Sequence, residues 1–359
     1  MMNRQFDYEY HQALDGLTFT QEQKSALAAQ AARAAQVAGK TRRRTRRPLG
    51  KMAVIAACLT VVLAVGASAA GILPSPAEVF GPLFGGTVAQ TEVIDKIGHP
   101  IGASDTDNGI TITADAIMGD EYNAVIVYTI SRDDGERFLP EDNTLDHTYL
   151  MVGGFGGASW VQGGAHGNAW FVDDDPDDNR VQYVETVTSD VPLTKGTAKA
   201  KFQDMRYWDY GTERDALLYE GKWNLRFEVD YEDCSVHLGG GETVFQDGIT
   251  FTIDEVTVSP VAVRTAYTAD LAVVWDNEIS GRENAENARQ RQRYLENVEI
   301  LLTKTDGTVV DLSGAGGGIS PDYDANVSHC TKGQVLDEII PLEDMASISV
   351  GGVVFPIGQ

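Results

Sequence analysis

Hydrophobic and polar positions divide the chain into three regimes. In the first, Phe6, Tyr10 and Leu14 recur at spacings of four, which places them on one face of a short helix ended by Gly16. Thr20-Gln21-Glu22-Gln23 then forms a capping-box sequence, with Thr20 accepting from the backbone and Gln23 reaching back. An Ala-rich helix is predicted from there to Ala38, stopped by Gly39. So short a segment cannot bury a core of its own. Its apolar side chains, Phe6, Tyr10, Leu14, Leu17, Phe19 and Leu27, are therefore expected to dock on a partner helix-in-groove, or else to rest on anionic lipid.

The second regime is Met52 to Leu73, 22 residues without a charged side chain. As an α-helix it spans about 33 Å, enough for the hydrocarbon core of a bilayer. Arg42, Arg43, Arg44, Arg46, Arg47 and Lys51 precede it, and Pro74 and Pro76 follow. Cationic residues stay on the cytoplasmic side, so this order predicts a cytoplasmic N-terminus and an extracytoplasmic C-terminus. A signal-peptidase site at Ala-Ser-Ala-Ala, 67–70, is the main rival, but 51 residues before the apolar run are too many for an ordinary n-region. The Arg46-Arg47 pair is explained by topology without a twin-arginine export signal. The lipobox-like Ile55-Ala56-Ala57-Cys58 has too few apolar residues before it and too many after.

The third regime has the period of strands. Trp223, Leu225, Phe227, Val229 and Tyr231 alternate with Asn224, Arg226, Glu228 and Asp230, as a strand with one buried face requires. Val298, Ile300 and Leu302 alternate likewise, and Asp306-Gly307 suits a type I′ hairpin. Gly351-Gly352 suggests another. Only residues 282–296 read as helix, an excursion between strands.

A repeat organises this portion. Asn108-Gly109-Ile110-Thr111-Ile112-Thr113-Ala114-Asp115-Ala116-Ile117 returns 139 residues later as Asp247-Gly248-Ile249-Thr250-Phe251-Thr252-Ile253-Asp254-Glu255-Val256, with five identities in ten. Asp204-Met205 returns as Asp344-Met345 at an offset of 140. The predicted architecture is mainly β: two tandem β-sandwich-like domains at 88–235 and 236–359, a linker at 74–87, a transmembrane helix at 52–73, and a helical cytoplasmic segment at 1–51.

Charge sharpens the topology. Residues 1–51 carry ten Lys/Arg and four Asp/Glu, a balance of +6, whereas residues 74–359 carry eighteen and forty-nine, a balance of −31. Phosphate backbones repel a domain this acidic, so no nucleic-acid partner is expected there.

The run Val88-Ala89-Gln90-Thr91-Glu92-Val93-Ile94-Asp95-Lys96-Ile97-Gly98 through the Gly109-Ile110-Thr111 strand resembles a family of membrane-anchored proteins of Gram-positive bacteria. So do Gly221-Lys222-Trp223-Asn224 and Ile340-Pro341-Leu342-Glu343-Asp344. The outer domain of that family is a domain of unknown function, and some relatives are regarded as anti-sigma-factor-like. The resemblance implies a type II membrane protein with sandwich-like outer domains and no catalytic motif. No His-x3-Cys-x2-Cys occurs, which excludes a zinc-type anti-sigma domain.

Candidate chemistry is sparse. Asp173, Asp174, Asp175, Asp177 and Asp178 have the oxygen density of a Ca²⁺ loop without the EF-hand pattern, and such loops are usually solvated. Asp105-Thr106-Asp107-Asn108-Gly109 has turn composition. Cys234 and Cys330 are open to three readings: free thiols, a disulfide, or, with His237 and His329, zinc ligands. The glycines at 153–157 and 163–164, around Trp160 and before Trp170-Phe171, read as a long hairpin or as a ligand-contacting loop. The six histidines match no hydrolase order, so neither catalytic residues nor a cofactor are expected. Two functions fit: a transmembrane regulator whose outer domains sense a ligand and whose inner segment binds a cytoplasmic protein such as a sigma factor, or an anchored envelope binding or adhesion module.

Overall fold

The computed structural model describes residues 73–358 apart from 141–147, 154–157, 162, 210–213 and 277–283. The docking residues Phe6, Tyr10, Leu14, Leu17, Phe19 and Leu27, the basic run Arg42, Arg43, Arg44, Arg46, Arg47 and Lys51, and the apolar run at 52–73 as a whole lie outside them. Among the described residues, no helix is long and apolar enough to cross a membrane.

The stretch read as a linker, 74–87, carries a helix, and the first ten residues of the stretch read as a β domain, 88–97, are helical. Helix α1 (Pro76–Phe84) starts from a capping box in which Ser75 Oγ accepts from the Glu78 amide, while Glu78 accepts from the Ser75 amide. Pro76 at the first helical position supplies a ready-made φ. Helix α2 (Val88–Ile97) repeats the device with Thr87 and Gln90. The short connection between them needs Gly85, whose φ of 115° and contact with the Gln90 carboxamide leave no room for a Cβ.

The chain beyond α2 is mainly β. The first part runs β1 (His99–Asp107), β2 (Ile110–Gly119), β3 (Asn123–Arg132), β4 (Thr148–Gly153) and β5 (Ala158–Ser159). It continues with β6 (Ala165–His166), β7 (Ala169–Val172), β8 (Arg180–Ser189), β9 (Gly196–Asp209) and β10 (Arg214–Val229). Strands β1-β2-β3-β8-β6, with β7 beside β8, form one antiparallel sheet, and β10-β9-β4, with β5 beside β9, form a second. Side chains from both sheets share one core, centred on Tyr128, Phe202 and Trp223. The alternation from Trp223 to Val229 is as read, Trp223, Leu225, Phe227 and Val229 buried and the residues between them exposed.

The second part runs β11 (Val236–Leu238), β12 (Thr243–Gln246), β13 (Ile249–Val258), β14 (Ala262–Ala269), helix α3 (Ala285–Arg291) and β15 (Ile300–Lys304). It ends with β16 (Val309–Asp311), β17 (Gly316–Asp322), β18 (Val327–Val335), β19 (Met345–Val350) and β20 (Val353–Pro356). Here β11-β13-β14-β18-β17, with β12 beside β13, faces β16-β15-β19-β20 across a core containing Phe251, Tyr267 and Ile348.

The internal repeat reaches beyond sequence into backbone conformation. Asn108-Gly109 has φ of 50° and 78°, and Asp247-Gly248 has 52° and 78°, so both are type I′ turns. A bulge follows at Asp115 in β2 and at Asp254 in β13. Each bulged carboxylate accepts a 2.7 Å hydrogen bond from a threonine of the next strand, Thr129 in one unit and Thr268 in the other. The second match is weaker: Asp204 has φ of 46° within β9, whereas Asp344 closes a 3-10 turn, although Met205 and Met345 are both buried.

Two hairpin readings separate. Gly351-Gly352, with φ of 56° and 88°, is type I′. At Asp306-Gly307 only Gly307 has positive φ, and the Gly307 amide donates to the Lys304 carbonyl. This is a three-residue loop with a glycine bulge, and Asp306 accepts from the Thr308 amide, which a two-residue I′ turn would not allow.

The acidic turn before β2 has a structural task. The Asp105 and Asp107 carboxylates accept from the Asn224 and Lys222 amides of β10 at 2.7 and 2.9 Å. Two side chains thus stand in for a missing strand at the edge of that sheet.

Candidate functional site

The two β units and the helix pair meet at a junction that joins a buried apolar cluster to a buried polar pair. Strand β3 opens with Asn-Ala-Val-Ile-Val-Tyr, buried on both faces. One face enters the first core. The other is covered by Val79, Phe80 and Phe84 of α1 and Ile94 and Ile97 of α2. The same apolar cluster takes in Val261 and Ala262 at the β13–β14 turn, and Ile339, so it belongs to both β units. Backbone bonds fasten the helices to each side. The Ile339 amide donates to the Phe84 carbonyl at 2.7 Å, Gln90 Nε2 donates to the Ile339 carbonyl at 3.0 Å, and the Glu232 amide donates to the Ile97 carbonyl at 3.0 Å.

The repeat supplies the contact between the units. Asp120 in the β2–β3 turn and Ser259 in the β13–β14 turn are 139 residues apart, and each caps its own turn. Asp120 Oδ1 accepts from the amides of Tyr122 and Asn123, and Ser259 Oγ from those of Val261 and Ala262. Ser259 Oγ then donates to Asp120 Oδ2 at 2.5 Å. Equivalent turns of the two units thus meet head to head, in a fully buried setting that raises the Asp120 pKa in spite of its hydrogen bonds.

Around this buried pair lies a more solvated clamp. The Arg264 guanidinium sits 3.8 Å from the centroid of the Tyr122 ring and 3.4 Å from Glu255. His237 bridges Glu255 of its own unit and Glu121 of the other, each at 2.8 Å. The hydrogen bond to Glu255, joined by the charge of Glu121, raises the His237 pKa above its ordinary value.

Clefts flank the helix pair. One of about 280 Å³ lies between the start of α2 and the Lys304–Asp306 hairpin, and one of about 440 Å³ between α1 and the outer face of β2 and β3. A third, of about 350 Å³, is bounded by the end of α1 and by both β units.

The sequence candidates distribute unevenly. Asp173, Asp174, Asp175 and Asp178 line the second cleft, where Asp175 and Asp178 accept from their own loop backbone and Asp178 pairs with Arg180 at 2.9 Å. No group of three metal-ligating side chains occurs among the described residues. Cys234 and Cys330 are free thiols, the latter buried and pushed up to about 12, which makes it inert. His237 and His329 serve Glu255 and Thr268 instead of joining them. The helix pair has its signal in the sequence, in the two capping boxes Ser75…Glu78 and Thr87…Gln90.

One result in solution follows from three groups that titrate in the same sense. Burial pushes the half-buried Asp115 and Glu185 carboxyls up to about 7, and His237 is raised as described. All three hold protons more tightly folded than unfolded, so their contribution is complete at low pH. It fades as pH climbs from the unfolded carboxylate values, near 4, through 7, and for His237 above 6.5. Denaturation midpoints should therefore fall from pH 5 to pH 8, and the double substitution Asp115→Asn, Glu185→Gln should flatten that fall.

Comparison with known proteins adds one family. Residues 44–132 match the family model described as Domain of unknown function (DUF4179). The matched segment contains Arg44, Arg46, Arg47 and Lys51, the apolar run, both helices and β1 to β3, about a quarter of the chain. It supports the part of the resemblance that concerns a domain of unknown function. A solved structure titled "The crystal structure of the conserved domain protein from Bacillus anthracis" is similar, at 15% identity and a TM-score of 0.43, covering 70% of this chain and 75% of that one. No curated protein matches.

Proposed function

We propose that this chain is a single-pass membrane regulator of anti-sigma-factor-like type, with tandem sandwich-like sensing domains outside and a docking segment at residues 1–51 inside. The observation that carries the reading is the position of α1 and α2. They follow the apolar run directly in sequence and are held between the two β units by the shared apolar cluster and by backbone bonds to both. Any rearrangement of one β unit against the other must displace these helices. A module that only displayed binding domains would be served by a plain tether.

The charge asymmetry and the basic run before the apolar stretch support the topology. Phe6, Tyr10, Leu14, Leu17, Phe19 and Leu27 supply the apolar surface for a cytoplasmic partner such as a sigma factor. The test is co-purification of the full chain from membranes of its source organism. Recovery of a sigma factor, lost in the Phe6→Ala, Tyr10→Ala, Leu14→Ala variant, is the expected result. Recovery unchanged by those substitutions sinks the docking assignment, and membranes that yield no cytoplasmic partner favour the anchored binding module.

A further inference from the structure

In the cleft of about 350 Å³ at the end of α1, side chains of α1 and of both β units line the same space. Its size falls within the range of small-molecule sites. The first unit contributes Trp170, 39% exposed, with Asn168 and His166; the second contributes Gln334 and Asp337. His166 forms part of the wall, with its Nε2 shielded from solvent. Gly316 of β17 closes the wall beside it, since a Cβ there would lie 3.0 Å from the imidazole.

The chemistry of the lining narrows the ligand. No lysine or arginine lines the cleft, and the portion around it carries a balance of −31, so an anion would meet no counter-charge. A simple cation could use Asp337 and the Trp170 face but would leave the donors of Asn168 and Gln334 idle. Amides, which donate and accept at once, match neighbouring hydroxyls, and an indole face matches the C–H face of a pyranose ring. We propose that this cleft binds a neutral saccharide of one or two rings, stacked on Trp170 and hydrogen-bonded by Asn168, Gln334 and Asp337. Leu83 and Phe84 form the α1 side of the cleft, so an occupant also touches the helix pair. That this occupancy is the input of the regulator rests on the function proposed above; the site itself does not.

The experiment is a titration of the full chain with glucose, maltose, N-acetylglucosamine and its β-1,4-linked dimer, read by tryptophan fluorescence and calorimetry. Glucuronate and choline serve as anionic and cationic comparisons. Saturable binding of at least one neutral sugar is expected, weakened roughly tenfold or more by Trp170→Ala and about fivefold by Gln334→Ala. Trp170 is 39% exposed and Gln334 half-buried, and unchanged thermal midpoints would show that the variants fold. No saturation by any neutral sugar up to about 10 mM, a stronger response to glucuronate or choline, or binding indifferent to both substitutions would overturn the site. Hydrogen exchange separates binding at the cleft from an effect on the helix. A sugar that binds and slows exchange in residues 76–84 supports its role as input, whereas binding without that slowing removes the link to the helix and leaves the site standing.

Discussion

Phe80→Ala should destabilise the junction by about 3–5 kcal/mol, the usual cost of deleting a fully buried aromatic side chain. Phe80 has no exposed surface and sits among Val79, Phe84, Ile94, Val261, Ala262 and Ile339, so the cavity opens where the helix pair meets both β units. The two β cores, centred on Trp223 and on Tyr267, are built from other residues. Hydrogen exchange should therefore rise first in residues 76–97 and at Ile339, before either core is affected. Val88→Ala is the matched control. Val88 is 73% exposed, and its loss should shift stability by less than about 0.5 kcal/mol. Equal protection losses across both β cores in the Phe80 variant would show that the helices are not a separable element.

Asp120→Ala should cost about 3 kcal/mol, since it strands the Tyr122 and Asn123 amides and the Ser259 hydroxyl in a buried setting. Asp120→Asn keeps an acceptor for the turn and a donor for Ser259 Oγ, so it should recover much of that loss. Ser259→Ala leaves the Val261 and Ala262 amides without their acceptor and gives a second single variant of comparable kind. Because the two side chains touch at 2.5 Å, the double variant should fall short of the sum of the singles. Additive losses would mean that the two turns are stabilised independently and that their meeting contributes nothing. Denaturant titration of the four proteins at one pH decides the matter.

Much of the β portion was legible because a two-residue period leaves an unambiguous trace. Trp223 to Val229 alternates in sequence and in burial alike. The repeat at 139 residues was more informative than it first looked, since it also places Asp115 with Asp254, Thr129 with Thr268 and Asp120 with Ser259. The pairing of Asp120 with Ser259 was not readable from similarity, because the two residues differ in type and share only the ability to cap a turn.

The helices were missed for a different reason. Pro74, Pro76, Pro82 and Gly85-Gly86 give 74–87 the composition of a linker, which hides the capping box of α1, while 88–97 was absorbed into the β domain that follows it. A second signal was also present. The unbroken run Ala124-Val125-Ile126-Val127-Tyr128 has no polar face, so something must cover the far side of that strand, and α1 and α2 do. The I′ reading of Asp306-Gly307 failed because that dipeptide also suits a glycine-bulge loop, and the side chain of Asp306 selects the latter by binding the Thr308 amide. Cys234 and Cys330 could be resolved only in three dimensions, since nothing in their spacing distinguishes free thiols from a bond.

The central claim is that the helix pair between the β units couples the outer domains to residues 1–51. Its most direct test is sigma-dependent transcription in cells carrying the Phe80→Ala, Val88→Ala, or Phe6→Ala, Tyr10→Ala, Leu14→Ala variant, with membrane levels matched. The account predicts that Phe80→Ala shifts transcription away from the unmodified protein, as the triple variant of residues 6–14 does, while Val88→Ala leaves it unchanged. Transcription that responds to the triple variant but is untouched by Phe80→Ala would contradict it.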